Sequence, residues 1–184
     1  MTEIYAFDLS LRSAGHARLG GGLLSLRTRK TTAKEADLQD AVRIQATAAT
    51  QAFRMGKPDV VLMESGALGA IRGKGYEELG ALRWLLKDHV RHVYKMDVIE
   101  ISPSHLKKVV TGNGRADKRE VMARVTELGA LKYWPAPAND DEADAAGLII
   151  TYLMDNGLWR VNGQLRTEGT GDGDHGDART RAPF

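Results

Sequence analysis

Asn139-Asp140-Asp141-Glu142-Ala143-Asp144-Ala145-Ala146-Gly147 opens a segment that stays almost wholly apolar to Leu153. It reads as the start of a buried helix. Asn139 is a good N-cap, and Glu142 three residues on completes a capping box. Acids suit the positive end of a helix, but carboxylates beside a buried face are costly unless a cation meets them. With 3.6 residues per turn, Asp141 and Asp144 converge at the edge of the apolar face, while Asp140 turns toward solvent.

Two isolated acids far from this helix invite pairing with it. Asp8 ends the apolar strand that starts at Ile4, and Glu64 ends the run Val60-Val61-Leu62-Met63. A continuous apolar run of this kind fits a strand buried on both faces. Strand ends are where α/β folds place their sites. Asp8, Glu64, Asp141 and Asp144 brought together from three elements would make an all-oxygen site for a hard divalent metal. The chemistry such a site supports is two-metal phosphodiester hydrolysis.

The remaining elements follow from periodicity and punctuation. His16–Leu19 and Leu23–Thr28 read as strands joined by a hairpin at Gly20-Gly21-Gly22. Helices are expected over 36–55 with Gly56 as C-cap, over 76–94, over 103–110 behind Pro103, and over 118–128 closed by Gly129. Residues 97–101 read as another strand. Three strands in a meander, followed by strands that need helical crossovers, give an α/β fold. Its sheet is five-stranded and mixed, antiparallel first and then parallel, with helices on both faces. Residues 1–159 form this domain. From residue 160 Gly and Asp displace apolar residues, and 160–184 read as a disordered tail.

The 184 residues suit a single domain, with 42% hydrophobic and 27% charged residues. A net charge of +2 makes no case for nucleic acid, and the absence of cysteine excludes disulfides and thiolate zinc sites. No apolar run reaches the length of a membrane span and no signal-peptide core precedes the domain, so a cytoplasmic location is expected. Local charge is more telling. From His105 to Arg124 six cations (Lys107, Lys108, Arg115, Lys118, Arg119 and Arg124) face only Asp117 and Glu120. The turn Thr111-Gly112-Asn113-Gly114 and the helix start at Asp117 offer backbone N–H groups to phosphate. The glycines do not form a Walker A loop. His89 and His92, i and i+3 on a helix, have the spacing to share a metal but read better as surface or core residues. Trp84, Trp134 and Trp159 read as packing residues.

Residues 101–118, Ile-Ser-Pro-Ser-His-Leu-Lys-Lys-Val-Val-Thr-Gly-Asn-Gly-Arg-Ala-Asp-Lys, resemble the corresponding segment of RuvC-type Holliday junction resolvases. Asp-Glu-Ala-Asp-Ala-Ala-Gly-Leu (141–148) is similar to that family's Asp-x-x-Asp-Ala-x-x-Leu pattern. Residues 7–15 resemble its first acidic strand and residues 60–65 its Glu strand. The first Asp is followed by Leu9-Ser10 where the family usually has Pro-Gly. The loop after Glu64 offers Ala67, Leu68 and Ile71 where cellular members carry an aromatic residue, which looks more like the bacteriophage-type resolvases.

This resemblance implies a ribonuclease H-like fold and a homodimer that nicks two strands of a four-way or branched DNA. It implies Mg²⁺ as cofactor, with Mn²⁺ able to substitute. It makes Asp8, Glu64, Asp141 and Asp144 the metal-binding catalytic acids, and sets Lys107 and Lys118 near the scissile phosphate. Arg12, Arg72, Lys74, Lys107, Lys108, Arg115, Lys118 and Arg119 are then the expected DNA contacts. If the chain is phage-encoded, the location is the host cytoplasm. The rival readings are a ribonuclease H acting on RNA–DNA hybrids, a DNA-binding module without catalysis, and an actin-like phosphotransferase. The last requires two such domains.

Overall fold

In the computed structural model, residues 2–31, 37–66, 75–161 and 164–165 are described. Five strands make one sheet: β1 (Ile4–Asp8), β2 (Ser13–Gly20), β3 (Leu23–Lys30), β4 (Val60–Glu64) and β5 (Ile99–Ile101), in the order β3-β2-β1-β4-β5. β1 pairs antiparallel with β2, and β2 with β3, while β1–β4 and β4–β5 are parallel. This is the expected mixed sheet. Gly21 and Gly22 form the hairpin turn with φ of 61° and 83°. Positive φ at both central residues is what a two-residue turn between twisted strands requires.

Side chains alternate across the two central strands, and each face carries its own core. Tyr5, Phe7, Val61 and Met63 pack on one side with Phe53, Leu82 and Leu86. The elements there are α1 (Leu38–Ala52) and α2 (Tyr76–His89). Ile4, Ala6 and Leu62 pack on the other side with Leu106, Val121, Val125, Ile149 and Trp159. That side is built from α3 (Pro103–Thr111), α4 (Lys118–Ala130) and α5 (Asp140–Asp155). α5 is the most enclosed, with every residue from Ala145 to Thr151 buried. This is why the stretch after Asp144 has no polar stripe.

Several boundaries differ from the expected ones, each for a local reason. β2 begins at Ser13, three residues before His16, because it pairs as far as Lys30 on β3. β5 loses Asp97 and Val98, and the β4 register starts only at Ile99. The first helix closes as a 3₁₀ turn at Phe53–Met55, and Gly56 is extended, not left-handed. The second ends in a π turn, Val90–Tyr94. Gly129 does not stop α4. It lies inside the helix, buried, with Trp134 Cβ at 3.6 Å from where its own Cβ would sit. Trp134 and Trp159 are packing residues, their rings 5.4 Å apart edge to face, whereas Trp84 is 62% exposed. His89 stacks on Phe53 and His92 pairs with Asp88, so the two histidines serve separate partners.

Past Trp159 the expected tail opens with a short antiparallel ladder, β6 (Arg160–Val161) with β7 (Gln164–Leu165). The residues from 166 on, and the glycine-rich loop at 67–74, lie outside the described residues. Among the described residues no helix is long and apolar enough to cross a membrane.

Gly147 is where α3 crosses α5. A Cβ there would lie 3.2 Å from Leu106 Cδ2 and 3.3 Å from its Cδ1. Overpacking such a crossing costs about 1–3 kcal/mol. Gly147→Val is therefore expected to lower stability by that amount in urea unfolding, and an unchanged midpoint would show that α3 is free to shift away.

Candidate active site

The sequence brings its acids to one end of the sheet by three routes. Asp8 is the last residue of β1 and faces Gly15 across the β1–β2 pair. Glu64 is the last residue of the adjacent parallel strand, so the two acids leave the sheet in the same direction. The start of α5 supplies the rest. A Cβ on Gly15 would fall 1.8 Å from the Asp141 carbonyl oxygen. Only a glycine allows the helix start to lie this close to β2. Ser13, two residues back on the same strand face, donates a short hydrogen bond to Asp141 Oδ2.

The cap of α5 is held by the sheet as well. Asn139 Oδ1 accepts from the Glu142 N–H at 3.1 Å. Glu142, however, does not complete a capping box. Its Oε2 accepts from the Ala138 N–H at 2.9 Å, and its Oε1 lies 3.2 Å from the Thr28 hydroxyl. That hydroxyl also accepts from Asn139 Nδ2 at 2.8 Å. The helix start is thus tied to β3, and no sequence rule for isolated helices contains that tie.

Electrostatics show that the acids form one group. Burial raises Asp8 to about 8, helped by the charges of Glu64, Asp144 and Asp141 and opposed by Lys118. Glu64 rises to about 7, again mainly by burial, with Asp144 adding and Arg83, Lys107 and Lys118 opposing. Asp144 is raised by burial against the relief of Lys118. Asp140 stands apart, half exposed, with Lys118 Nζ 3.9 Å from its Oδ2. Among the described residues no group of Asp, Glu and His is closed into a ready cage for an ion. The acids lie within Coulombic reach of one another but are not clasped. An open, partly desolvated, all-oxygen set whose members resist ionising together is the donor chemistry a hard divalent cation fits.

Residues 86–152 match the family described as crossover junction endodeoxyribonuclease RuvC. The RuvC of Mycolicibacterium vanbaalenii is 38% identical over 113 residues, 57% of this chain and 50% of that protein. The RuvC of Mycolicibacterium smegmatis is 31% identical over 138 residues, 71% of this chain and 65% of that protein. Thermus thermophilus RuvC superposes with a TM-score of 0.63 at 19% identity, covering 85% of this chain and 98% of that one. The chain is RuvC-like. It spans about half to two-thirds of the length of these two curated relatives, and its fold is the ribonuclease H-like one. T. thermophilus RuvC in complex with a Holliday junction substrate has a similar score, 0.64, at 20% identity over 82% of this chain and 92% of that one.

The RuvC-like chain therefore gathers Asp8, Glu64, Asp141, Asp144, Lys107 and Lys118 at one place. The other expected DNA contacts are spread around it. Arg12 lies on the β1–β2 connection, Lys108 is exposed on α3, Arg115 on the turn before α4, and Arg119 on the first turn of α4. Arg72 and Lys74 lie outside the described residues. Sequence reading missed Ser13, Gly15, Thr28 and Arg83. The first two were hidden by starting β2 too late. Carrying its alternation back by one pair would have placed Gly15 opposite Asp8.

The raised carboxyls make stability fall with pH. A carboxyl whose pKa is higher folded than unfolded binds more protons when folded. Its contribution is thus present at low pH and is lost as pH rises from 3.8 to about 8 for Asp8 and from 4.5 to about 7 for Glu64. In metal-free buffer the melting temperature is expected to decline across that window, and to decline less in Asp8→Asn. Parallel melting curves for the two proteins would contradict the coupling.

Proposed function

We propose that this RuvC-like chain is a metal-dependent endonuclease that resolves four-way DNA junctions by paired nicking as a homodimer. The observation that carries this reading is the set of mutually raised carboxylates, Asp8, Glu64 and Asp144 with Asp141 beside them, faced by Lys107 and Lys118. Relatives of similar sequence are named crossover junction endodeoxyribonucleases. A solved neighbour of the same fold was captured with a Holliday junction.

The four acids are the proposed ligands for Mg²⁺, for which Mn²⁺ substitutes. When bound, such ions lower the pKa of water and stabilise the leaving oxygen of an in-line displacement. The chain's own residues do the rest. Ser13 orients Asp141. Lys107 and Lys118, which already ease ionisation of Glu64 and Asp144, meet the scissile phosphate. Arg12, Lys108, Arg115 and Arg119 contact backbone phosphates around it and position the junction without reading sequence.

Paired nicking needs two sites, and the outer face of α2 supports self-association. Tyr76 and Trp84 are 61% and 62% exposed there and Leu85 39%. Gly80 between them has no atom within 4 Å of where a Cβ would be. Trp84→Glu is expected to shift the protein to monomer in sedimentation and to leave single nicks in place of paired ones. A dimer that persists in Trp84→Glu would place the interface elsewhere.

Cleavage of a labelled four-way junction over a Mg²⁺ titration tests the whole reading. Asp8→Asn and Glu64→Gln are expected to lose at least about two orders of magnitude in cleavage, the scale of removing one well-placed catalytic group, and to keep junction binding. Asp140→Asn should lose less than about tenfold, because its acid serves mainly the helix start. Wild-type cleavage by Asp8→Asn would refute the site. Preference for an RNA–DNA hybrid over the junction would refute the substrate.

A further inference from the structure

The face of the sheet turned away from α5 holds a cleft that the carboxylate site does not use. α1 is tied to the end of β3, where the Gln45 side chain donates to the Arg29 carbonyl at 3.0 Å, and beside that tie a space of about 550 Å³ lies between the helix and β2–β3. That is within the range of small-molecule sites, about 300–1,000 Å³. Ile44 and Ala48 of α1 form one wall, and beneath the space the fully buried Phe7 ring lies edge to face with His16, centroids 5.1 Å apart. Its rim is cationic. Arg18 and Arg43 are already matched by Glu3 and Asp40. Arg27 and Arg29, two apart on the same face of β3, line the cleft with no acid paired to them among the described residues.

His16 is the second observation. Its Nε2 is buried without a hydrogen-bond partner. Burial, with the nearby charge of Arg27, holds the ring at about 4, so it is neutral at physiological pH. A neutral imidazole carries one donor and one acceptor. An orphaned buried nitrogen of this kind is unfavourable unless water or a ligand meets it.

We propose that this cleft is a second, non-catalytic site for a nucleotide. The phosphate sits on Arg27 and Arg29, and the base lies against Ile44 and Ala48 with one polar edge toward His16. The pairing follows from the chemistry. Two unmatched guanidiniums at the rim select phosphate. A flat wall with a single buried polar atom selects a ring with a hydrogen-bonding edge over a bare anion. The occupant is a free nucleotide or an unpaired nucleotide within a DNA strand, since both present this chemistry. The register Phe7–His16–Arg27 is adjacent to Asp8–Gly15–Thr28, so the cleft is one pair of residues from the acids but on the opposite face.

The test is calorimetry on the full chain in EDTA with the four deoxynucleoside monophosphates, inorganic phosphate and a short single-stranded oligonucleotide. At least one mononucleotide, or the oligonucleotide, is expected to bind about tenfold or more tighter than phosphate, a difference of about 1.4 kcal/mol. Arg27→Gln with Arg29→Gln, both on exposed side chains, should weaken that binding by about tenfold or more, the scale of losing charge-assisted hydrogen bonds. Ala48→Phe fills the space from the α1 wall and should lose the nucleotide while keeping phosphate. Lys107→Ala with Lys118→Ala, at the carboxylate site, should bind mononucleotides as wild type, whatever it does to the oligonucleotide. Binding of the oligonucleotide alone, lost in the arginine variant, assigns the site to a strand, and binding of mononucleotides assigns it to free nucleotide. Any of four results overturns the proposal: no binding at millimolar ligand, phosphate binding as tightly as nucleotide, unaltered affinity in the arginine or Ala48→Phe variant, or loss of mononucleotide binding in the lysine variant.

Discussion

The contact between Gly15 and the backbone of Asp141 governs the rest of the molecule. Without a side chain on β2 at that point, the first turn of α5 lies directly on the sheet. Everything that distinguishes the site follows from this approach. Ser13 reaches the Asp141 carboxylate, Thr28 reaches the cap, and Asp144, one turn on, is brought beside Asp8 and Glu64. The same approach removes water from the acids, and burial is the largest cause of their raised pKa values. Packing geometry and electrostatics here are one effect seen at two levels.

The acids are locally unfavourable, and the fold carries them because the rest of α5 is so well buried. Ala145 to Thr151 are enclosed by the sheet and by α3 and α4. Burial of this kind is worth roughly 25 cal/mol per Å² of apolar surface, which offsets repulsion confined to one end of the helix. Lys118 has an unusual position in this balance. It opposes the raised pKa of three acids and also approaches Asp140, although its own side chain is 66% exposed. An exposed cation at the rim thus moderates the repulsion without being buried among the acids.

Much of this was legible in the sequence, for physical reasons that differ by element. β1 and β4 were readable because strands buried on both faces need continuous apolar runs, and the acid ending each run stood out against them. The Gly21–Gly22 hairpin was readable because its turn demands positive φ. α5 was readable because burial on all sides leaves no polar stripe. What escaped depended on partners distant in the chain. Gly129 signals a stop only where it turns left-handed, and here it keeps a helical φ inside α4, packed against Trp134. Glu142 fits a capping box until Thr28 and the Ala138 N–H compete for it. Trp84 looked like core because its exposure is set by the face α2 turns outward, which periodicity alone left open. The cleft behind β2 was invisible because it depends on how far α1 stands from the sheet.

The order in which the acids occur along the chain has a further consequence. β1 and β4 supply Asp8 and Glu64 early, but the remaining acids arrive only with α5, the last helix of the described chain and the centre of the larger core. Long-range contacts of this kind form late, because loop closure must be met before they contribute. The docking of α5 that completes the core on its face of the sheet also completes the acid set, so the packing of that face and the site depend on the same helix.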